Sequence, residues 1–216
     1  GKDFLEACLA SVLKSNYPNF KVIIVDNASF DKSLSEVEDL LRRDKRLCLI
    51  RSKSNLMYAG GNNLGIRQAQ GELIILLNND VEVEPDWLEE IVTAMHDGQI
   101  GAAQPKILLY DTLPARIDYI GVDIDKYGYS KGVGRGEIDT GQYNRIRETF
   151  YAGGTALVLR KRILDEVGLL DEKFGMHWED LDLCWRIRLR GYKIVVIPKS
   201  VVYHKASISM DKFVRK

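Results

Sequence analysis

Apolar residues recur along this chain in two periods. Phe4, Leu5, Cys8, Leu9 and Val12 lie three and four apart, the spacing of one helical face, and predict a helix over 3–14. Tyr17-Pro18-Asn19 then turns the chain into a mostly apolar run, Phe20 to Val25, that reads as a buried strand. Asp26-Asn27-Ala28-Ser29 ends it in a polar loop. A charged helix over 33–43 and a short strand, Leu47 to Arg51, follow. The loop 52–61 carries Gly60-Gly61 and is expected to enter a short helix capped by Asn62 or Asn63. Glu72 to Leu77 reads as the third strand, and Pro85-Asp86-Trp87 as a helix start with proline near the first position. Strands alternating with helices at this pitch predict an α/β domain with a largely parallel central sheet.

The pattern changes over 105–150, which is rich in Gly, Tyr and Asp and holds no helical period of useful length. Short strands or hairpins and a mobile loop from Tyr127 to Gly141 are expected there. Regular structure resumes with an apolar strand, Ala156 to Leu159, a short helix from Lys161, a helix starting near 179, and a strand ending in His204. The tail after Ser207 is basic, with Lys212, Arg215 and Lys216.

With 216 residues, 45% of them hydrophobic, the chain can bury a substantial core and is expected to form one domain over 1–216. Its 31 basic and 31 acidic residues cancel, which argues against nucleic acid as a partner. Cys8, Cys48 and Cys184 are far apart and form no CxxC, so a reducing compartment is expected rather than a disulfide framework or zinc site. No apolar run approaches the roughly 20 residues that span a bilayer. A cytoplasmic domain, associated peripherally with the inner face of a membrane, is the resulting expectation.

Candidate chemistry sits at the ends of the predicted strands, where open α/β sheets bind ligands. Asp26-Asn27, Asn78-Asn79-Asp80 and His204 all fall there. A carboxylate after the apolar run Leu73 to Leu77 is poorly placed for packing and well placed for a crevice. Asp80 could therefore hold Mg²⁺ or Mn²⁺ against a diphosphate, although the triplet also fits an ordinary turn. On a helix beginning near 179, Leu183, Cys184 and Ile187 share the face of Asp180, so this carboxylate points toward a core or cleft. Asp182 faces elsewhere and meets Arg186 one turn on. Glu179-Asp180 also fits charge complementing a helix dipole, and Glu179 can support or orient the site. Trp178, just before the pair, can offer an aromatic face to a sugar. Gly60-Gly61 ahead of a helix could admit a phosphate or ribose. The chain has no Walker-type or GxGxxG loop, which argues against P-loop and dinucleotide readings.

Together these segments resemble the inverting family 2 glycosyltransferases of the GT-A fold. The resemblance runs from about 3 to 204, through YPNFKVIIVDNAS, NLMYAGGNNLGI, GELIILLNND, YAGGTALVLRKRILDEVGLLDEKF, and WEDLDLCWRIRLRGYKIVVIP followed by VVYH. It implies a nucleotide-diphospho-sugar transferase fold, with 1–104 as the nucleotide-sugar-binding half and 105–216 as the acceptor-binding and catalytic half. Asp26 would contact the nucleobase, the loop around Asn55 and Asn63 would border the nucleoside, and Asn27, Asn78 and Asn79 would belong to the nucleotide and donor site. Asp80 matches the ligand of the DxD metal motif and His204 the family's metal- or diphosphate-binding histidine. Asp180 matches the general base, with Glu179 beside it, and Gly153, Gly154 and Trp178 would shape the acceptor side together with the loop 127–141. Asn78 replaces the usual first aspartate and looks like the rhamnosyltransferase-type branch, which builds bacterial and archaeal surface polysaccharides. The family normally begins with a strand ahead of the 3–14 helix, so a sheet lacking that strand is expected.

The resulting expectation is single-displacement transfer from a dTDP- or UDP-sugar, dTDP-rhamnose included, to a hydroxyl of a glycan or lipid-linked acceptor. The alternative is a noncatalytic nucleotide-sugar-binding module or truncated inactive domain. A sugar-1-phosphate nucleotidyltransferase would want a Gly-rich basic loop near the start of the chain, and none is present. Adjacent Glu179 and Asp180 cannot flank a glycosidic bond as a hydrolase requires.

Overall fold

The computed structural model describes residues 2–30 and 33–205. The chain opens with α1 (Lys2–Leu13), β1 (Val22–Asp26), α2 (Ser33–Arg43), β2 (Leu47–Arg51) and α3 (Met57–Gln68). β3 (Leu73–Leu77), β4 (Val81–Val83), α4 (Trp87–Ala94) and the long β5 (Ile100–Leu109) follow. Four short strands fill the middle: β6 (Ile117–Tyr119), β7 (Val122–Ile124), β8 (Ser130–Gly132) and β9 (Arg147–Glu148). β10 (Ala156–Arg160), α5 (Lys161–Val167), a 3-10 turn at Glu172–Phe174, α6 (Glu179–Leu189) and β11 (Lys193–His204) complete the described chain.

The central sheet has the order β3-β10-β5-β11-β4, with β6 added to β5 and β9 to β11. Its strands are apolar almost throughout because both faces are covered. Along β10, Leu157 and Leu159 point to α3, α5 and α6, where Ile66, Ile163, Leu183 and Ile187 are buried. Ala156 and Val158 point the other way, toward Val12 of α1 and Trp87 and Ile91 of α4. The result is helix, sheet and helix in three layers, as expected for an α/β chain.

Strand direction is where the expectation fails. Only β5–β11 is a parallel pair in the central sheet, while β10 runs antiparallel to both β3 and β5, and β4 antiparallel to β11. β10 is entered from the strand-rich middle rather than from a crossover helix, so helix–strand alternation does not set its direction. The second parallel pair, β1–β2, forms a separate two-stranded sheet. The expected division at 104/105 falls inside β5, so the two halves share one sheet.

Other expectations shift locally. Gly60 and Gly61 lie inside α3, which starts at Met57, so neither Asn62 nor Asn63 caps it. These glycines serve close approach instead. A Cβ on Gly61 would stand 3.1 Å from Asn27 Nδ2, and one on Gly65 would stand 3.1 Å from Val25 Cγ2, so α3 lies directly on the end of β1. α4 takes Asp86 as its N-cap, leaving Pro85 ahead of the cap. The segment from Tyr127 to Gly141 contains β8 and is tied to β6, with Ile117 N donating to Glu137 O at 2.9 Å and Gly136 N to Ile117 O at 2.8 Å. The basic tail with Lys212, Arg215 and Lys216 lies outside the described residues.

Candidate active site

Cross-strand register builds the first half of the site. Val81 pairs with His204, the last residue of β11, so Asp80 stands next to that histidine although 124 positions separate them in sequence. Asp80 Oδ2 lies 3.6 Å from His204 Nε2, an ion-pair distance rather than a hydrogen bond. Asp80 Oδ1 is buried without a hydrogen-bond partner among the described residues. The other ring nitrogen, Nδ1, is 2.7 Å from Asp118 Oδ2. Burial works against a charged His204, but the hydrogen bond to Asp118 and the charge of Asp80 outweigh it and hold the pKa at about 9. Burial likewise pushes Asp80 up, yet His204 pulls its carboxyl to a net position below the usual range.

A carboxylate oxygen without a partner beside an imidazole nitrogen suits an oxygen- and nitrogen-ligated divalent ion. Among the described residues no three His, Cys, Asp or Glu side chains gather into a protein-only metal cage. The pair fits a metal that shares its shell with substrate phosphate and water.

The second half is the shelf in front of β10. β10 runs antiparallel to β3 with Ala156 opposite Leu77, so the residues preceding one strand adjoin those following the other, and Asn78 N donates to Thr155 O at 3.0 Å. Gly154 N donates to Asp180 Oδ2 at 2.8 Å, while Leu181 N donates to Asp180 Oδ1 at 2.8 Å. Gly154 O in turn accepts from the Tyr58 hydroxyl at 2.6 Å, and Gly153 N donates to Gln104 Oε1 at 2.9 Å. A side chain on either glycine would force a shift, since a Cβ would stand 2.8 Å from the Tyr119 or Tyr58 hydroxyl respectively. Burial raises the Asp180 pKa above the usual aspartate range despite these two backbone donors. Glu179 is 4% exposed, its Oε2 has no partner, and burial raises its pKa too.

α6 begins at Glu179 as expected, with Trp178 as a left-handed N-cap at φ 73°. His177 before it also has positive φ, and Trp178 is 54% exposed rather than packed. Trp185 meets Phe150 edge to face at 5.5 Å. Burial pushes the Cys8 and Cys184 thiols up to about 12, which leaves neither as a ready nucleophile.

The expected nucleotide end is assembled differently. Asp26 ends β1 and its Oδ1 accepts from Ser29 N at 2.9 Å. Asn27 Nδ2 donates to Asn55 Oδ1 at 3.1 Å and to Met57 O at 2.9 Å, and its Oδ1 accepts from Leu56 N at 2.8 Å. Asn27 and Asn55 thus staple the loop into α3. Asn63, expected to border the nucleoside, is turned into the fold: it is 1% exposed, donates to Leu170 O at 2.9 Å and accepts from Leu170 N at 3.1 Å. Helix α3 begins a turn and a half earlier than expected and rotates Asn63 inward. Asn78 is half-buried and Asn79 exposed beside Asp80.

Sequence reasoning missed Asp118, Tyr58 and Gln104. Asp118 had a signal, a lone charge inside Ile117-Asp118-Tyr119-Ile120. The other two are ordinary in sequence and matter only through what they touch.

The family model for glycosyl transferase family 2 matches residues 2–168. The chain belongs to that family. This glycosyltransferase domain is 33% identical over 217 residues to the uncharacterized protein y4gI of Sinorhizobium fredii, covering 95% of the chain and 23% of the relative. It is 29% identical to the O-antigen biosynthesis protein RfbC of Myxococcus xanthus, covering 96% of the chain and 16% of that protein. With the low-salt glycan biosynthesis hexosyltransferase Agl10 of Haloferax volcanii the identity is 24%, over 88% of the chain and 61% of the relative. The domain therefore spans less than two thirds of each of these proteins. Among solved structures it superposes on GalNAc-T7 bound to UDP, GalNAc and Mn²⁺ with TM-score 0.78 and 19% identity, over 94% of the chain and 41% of the other. The mannosyltransferase PcManGT of Pyrobaculum calidifontis, bound to GDP-Man and Mn²⁺, gives TM-score 0.70 at 18% identity over 95% and 54%. These likenesses establish the GT-A fold. Among the described residues, no helix is long and apolar enough to cross a membrane.

Proposed function

We propose that this domain transfers a sugar, with inversion, from a nucleotide-diphosphate donor to a hydroxyl of a glycan or lipid-linked acceptor in surface polysaccharide synthesis. The observation that carries the reading is Asp180. Its two oxygens are each fixed by one backbone N–H at 2.8 Å, which leaves further lone pairs free to accept a proton. Burial makes it a stronger base than a surface aspartate. The acceptor oxygen attacks the anomeric carbon, its proton passes to Asp180, and the bond from that carbon to the diphosphate oxygen breaks. With one displacement and no protein nucleophile, the configuration inverts. Glu179, buried beside it at the start of the same helix, is the candidate to support the site.

Asp80 and His204 are the residues that would hold Mg²⁺ or Mn²⁺, in line with the Mn²⁺ of the two structural neighbours. When bound, such an ion neutralises charge on the departing diphosphate. Asn78 and Asn79 adjoin this end of the donor, and Asp26 with the Asn27–Asn55 loop forms the nucleotide end. We favour a dTDP- or UDP-sugar, dTDP-rhamnose first, on the strength of Asn78 at the metal motif. Exposed Met57, Phe174, Met176 and Trp178 give the acceptor side an apolar, aromatic lip, which suits a sugar face or a lipid carrier. A lipid-linked acceptor brings the domain to the inner face of a membrane.

Two measurements test this. Thermal-shift titration with UDP-, dTDP- and GDP-sugars, each with Mn²⁺, Mg²⁺ or EDTA, should give a metal-dependent rise with one nucleotide class. Asp180→Asn should then lose about 10²- to 10⁴-fold in turnover while keeping that shift. Equal turnover by variant and parent removes Asp180 as base, and binding without turnover in the parent marks a noncatalytic donor-binding module.

A further inference from the structure

We infer that Asp118 is a positioning residue of the metal end of the site, holding the His204 ring so that Nε2 is presented beside Asp80. The inference rests on the proposed metal role of Asp80 and His204. β6 and β11 flank β5 on opposite sides, and Asp118 from the first meets His204 from the second across it. The contact is 2.7 Å from Asp118 Oδ2 to His204 Nδ1, with the carboxylate 5% and the histidine 9% exposed.

A carboxylate this deeply buried is costly unless a partner repays its lost hydration. Among the described residues the one other cation near Asp118 is Arg135, 3.9 Å from Oδ1 on a side chain 65% exposed, which is a weak and screened contact. His204 is therefore the partner that explains the burial. An imidazole bonded through Nδ1–H to a carboxylate has a fixed ring plane and keeps its other nitrogen for a ligand. That nitrogen, Nε2, is the one facing Asp80 Oδ2 at 3.6 Å, with the unpartnered Asp80 Oδ1 alongside. Packing alone would not require this order of donors. β6 gains a second task from its next residue, since the Tyr119 ring lies against Gly153 on the shelf that holds the base.

The test uses the whole chain as parent, Asp118→Asn and Asp118→Ala, with two readouts. The first needs no metal: proton and nitrogen NMR of the His204 ring. The parent should show a low-field, exchange-protected Nδ1–H signal that Asp118→Ala loses. The second is Mn²⁺ alone, titrated and followed by the electron paramagnetic resonance of the free ion. Affinity should fall about tenfold or more in Asp118→Ala, with Asp118→Asn, which can still accept from Nδ1–H, in between. If Asp118→Ala does not fold, the isosteric Asn variant carries both readouts. A parent without the protected Nδ1–H, or variants that bind Mn²⁺ within twofold of a binding parent, overturn the inference while leaving the transferase reading intact. A parent that binds no Mn²⁺ sinks the metal role beneath it and the inference with it.

Discussion

Gly154→Ala puts one methyl group where the base is anchored. The new Cβ would stand 2.8 Å from the Tyr58 hydroxyl oxygen and 3.2 Å from its Cζ. Interiors are close-packed, so roughly half an ångström of room has to be found. If Tyr58 retreats, it gives up its 2.6 Å hydrogen bond to Gly154 O. If residue 154 retreats instead, its N–H leaves Asp180 Oδ2, now at 2.8 Å. Either loss costs about 1–3 kcal/mol, or some 3–10 °C in Tm for a domain of this size. The second also moves the proton acceptor, and misplacement on that scale lowers kcat by about tenfold to a hundredfold. Tm should therefore fall in either case, and kcat with it where residue 154 is the group that moves, with donor binding by thermal shift unchanged. A double-mutant cycle sharpens the assay. Tyr58→Phe alone should cost stability by baring the Gly154 carbonyl, but in the Gly154→Ala background it removes the clashing oxygen and should cost less or even restore activity. Additive losses across the cycle, or a parental Tm in Gly154→Ala, would refute the account of how the shelf that holds Asp180 is packed.

Other outcomes follow from the same structure. Because burial raises the Asp180 pKa, turnover should be lost as pH falls through a midpoint above the usual aspartate range, and an acid limb at or below that range in a pH–rate profile contradicts the assignment. The sign for stability is opposite: a carboxyl with a raised folded pKa favours the native state most when protonated, and that contribution fades as pH rises through the folded value. Asn63→Ala should lower stability by about 1–3 kcal/mol for each Leu170 backbone group left bare, with donor KM unchanged; a selective rise in donor KM would return Asn63 to the nucleotide site. Gly101→Ala should destabilise by about 1–3 kcal/mol through overpacking, since its Cβ would stand 2.6 Å from Ile187 Cγ2 and 2.7 Å from Tyr192 Cβ, and calorimetry with an unchanged Tm would count against the packing described.

Much of this protein was legible from local pattern. The helix over 33–43, the strand Leu47–Arg51 and the helix start at Glu179 were each readable from apolar spacing or turn residues, and those signals are short-range. Asp180 was legible for the same reason, because a helix converts sequence spacing directly into a face. The motif order was enough to identify the family. Gly61 misled: glycine marks a loop in sequence, yet here it marks a helix pressed onto the end of a strand, and the contact with Asn27 that demands it is remote in sequence.

What tertiary structure alone decided is who meets whom across strands. The antiparallel pairing of β4 with β11 brings Asp80 to His204, and that of β10 with β3 sets Gly154 near Asn78. Nothing in the spacing of apolar residues encodes strand direction or register between positions as far apart as Leu77 and Ala156 or Val81 and His204. Asp118 shows the same limit from the other side. Its charge in an apolar stretch was visible, but a buried carboxylate acquires a function only from the partner folding sets against it, and His204 lies 86 positions away.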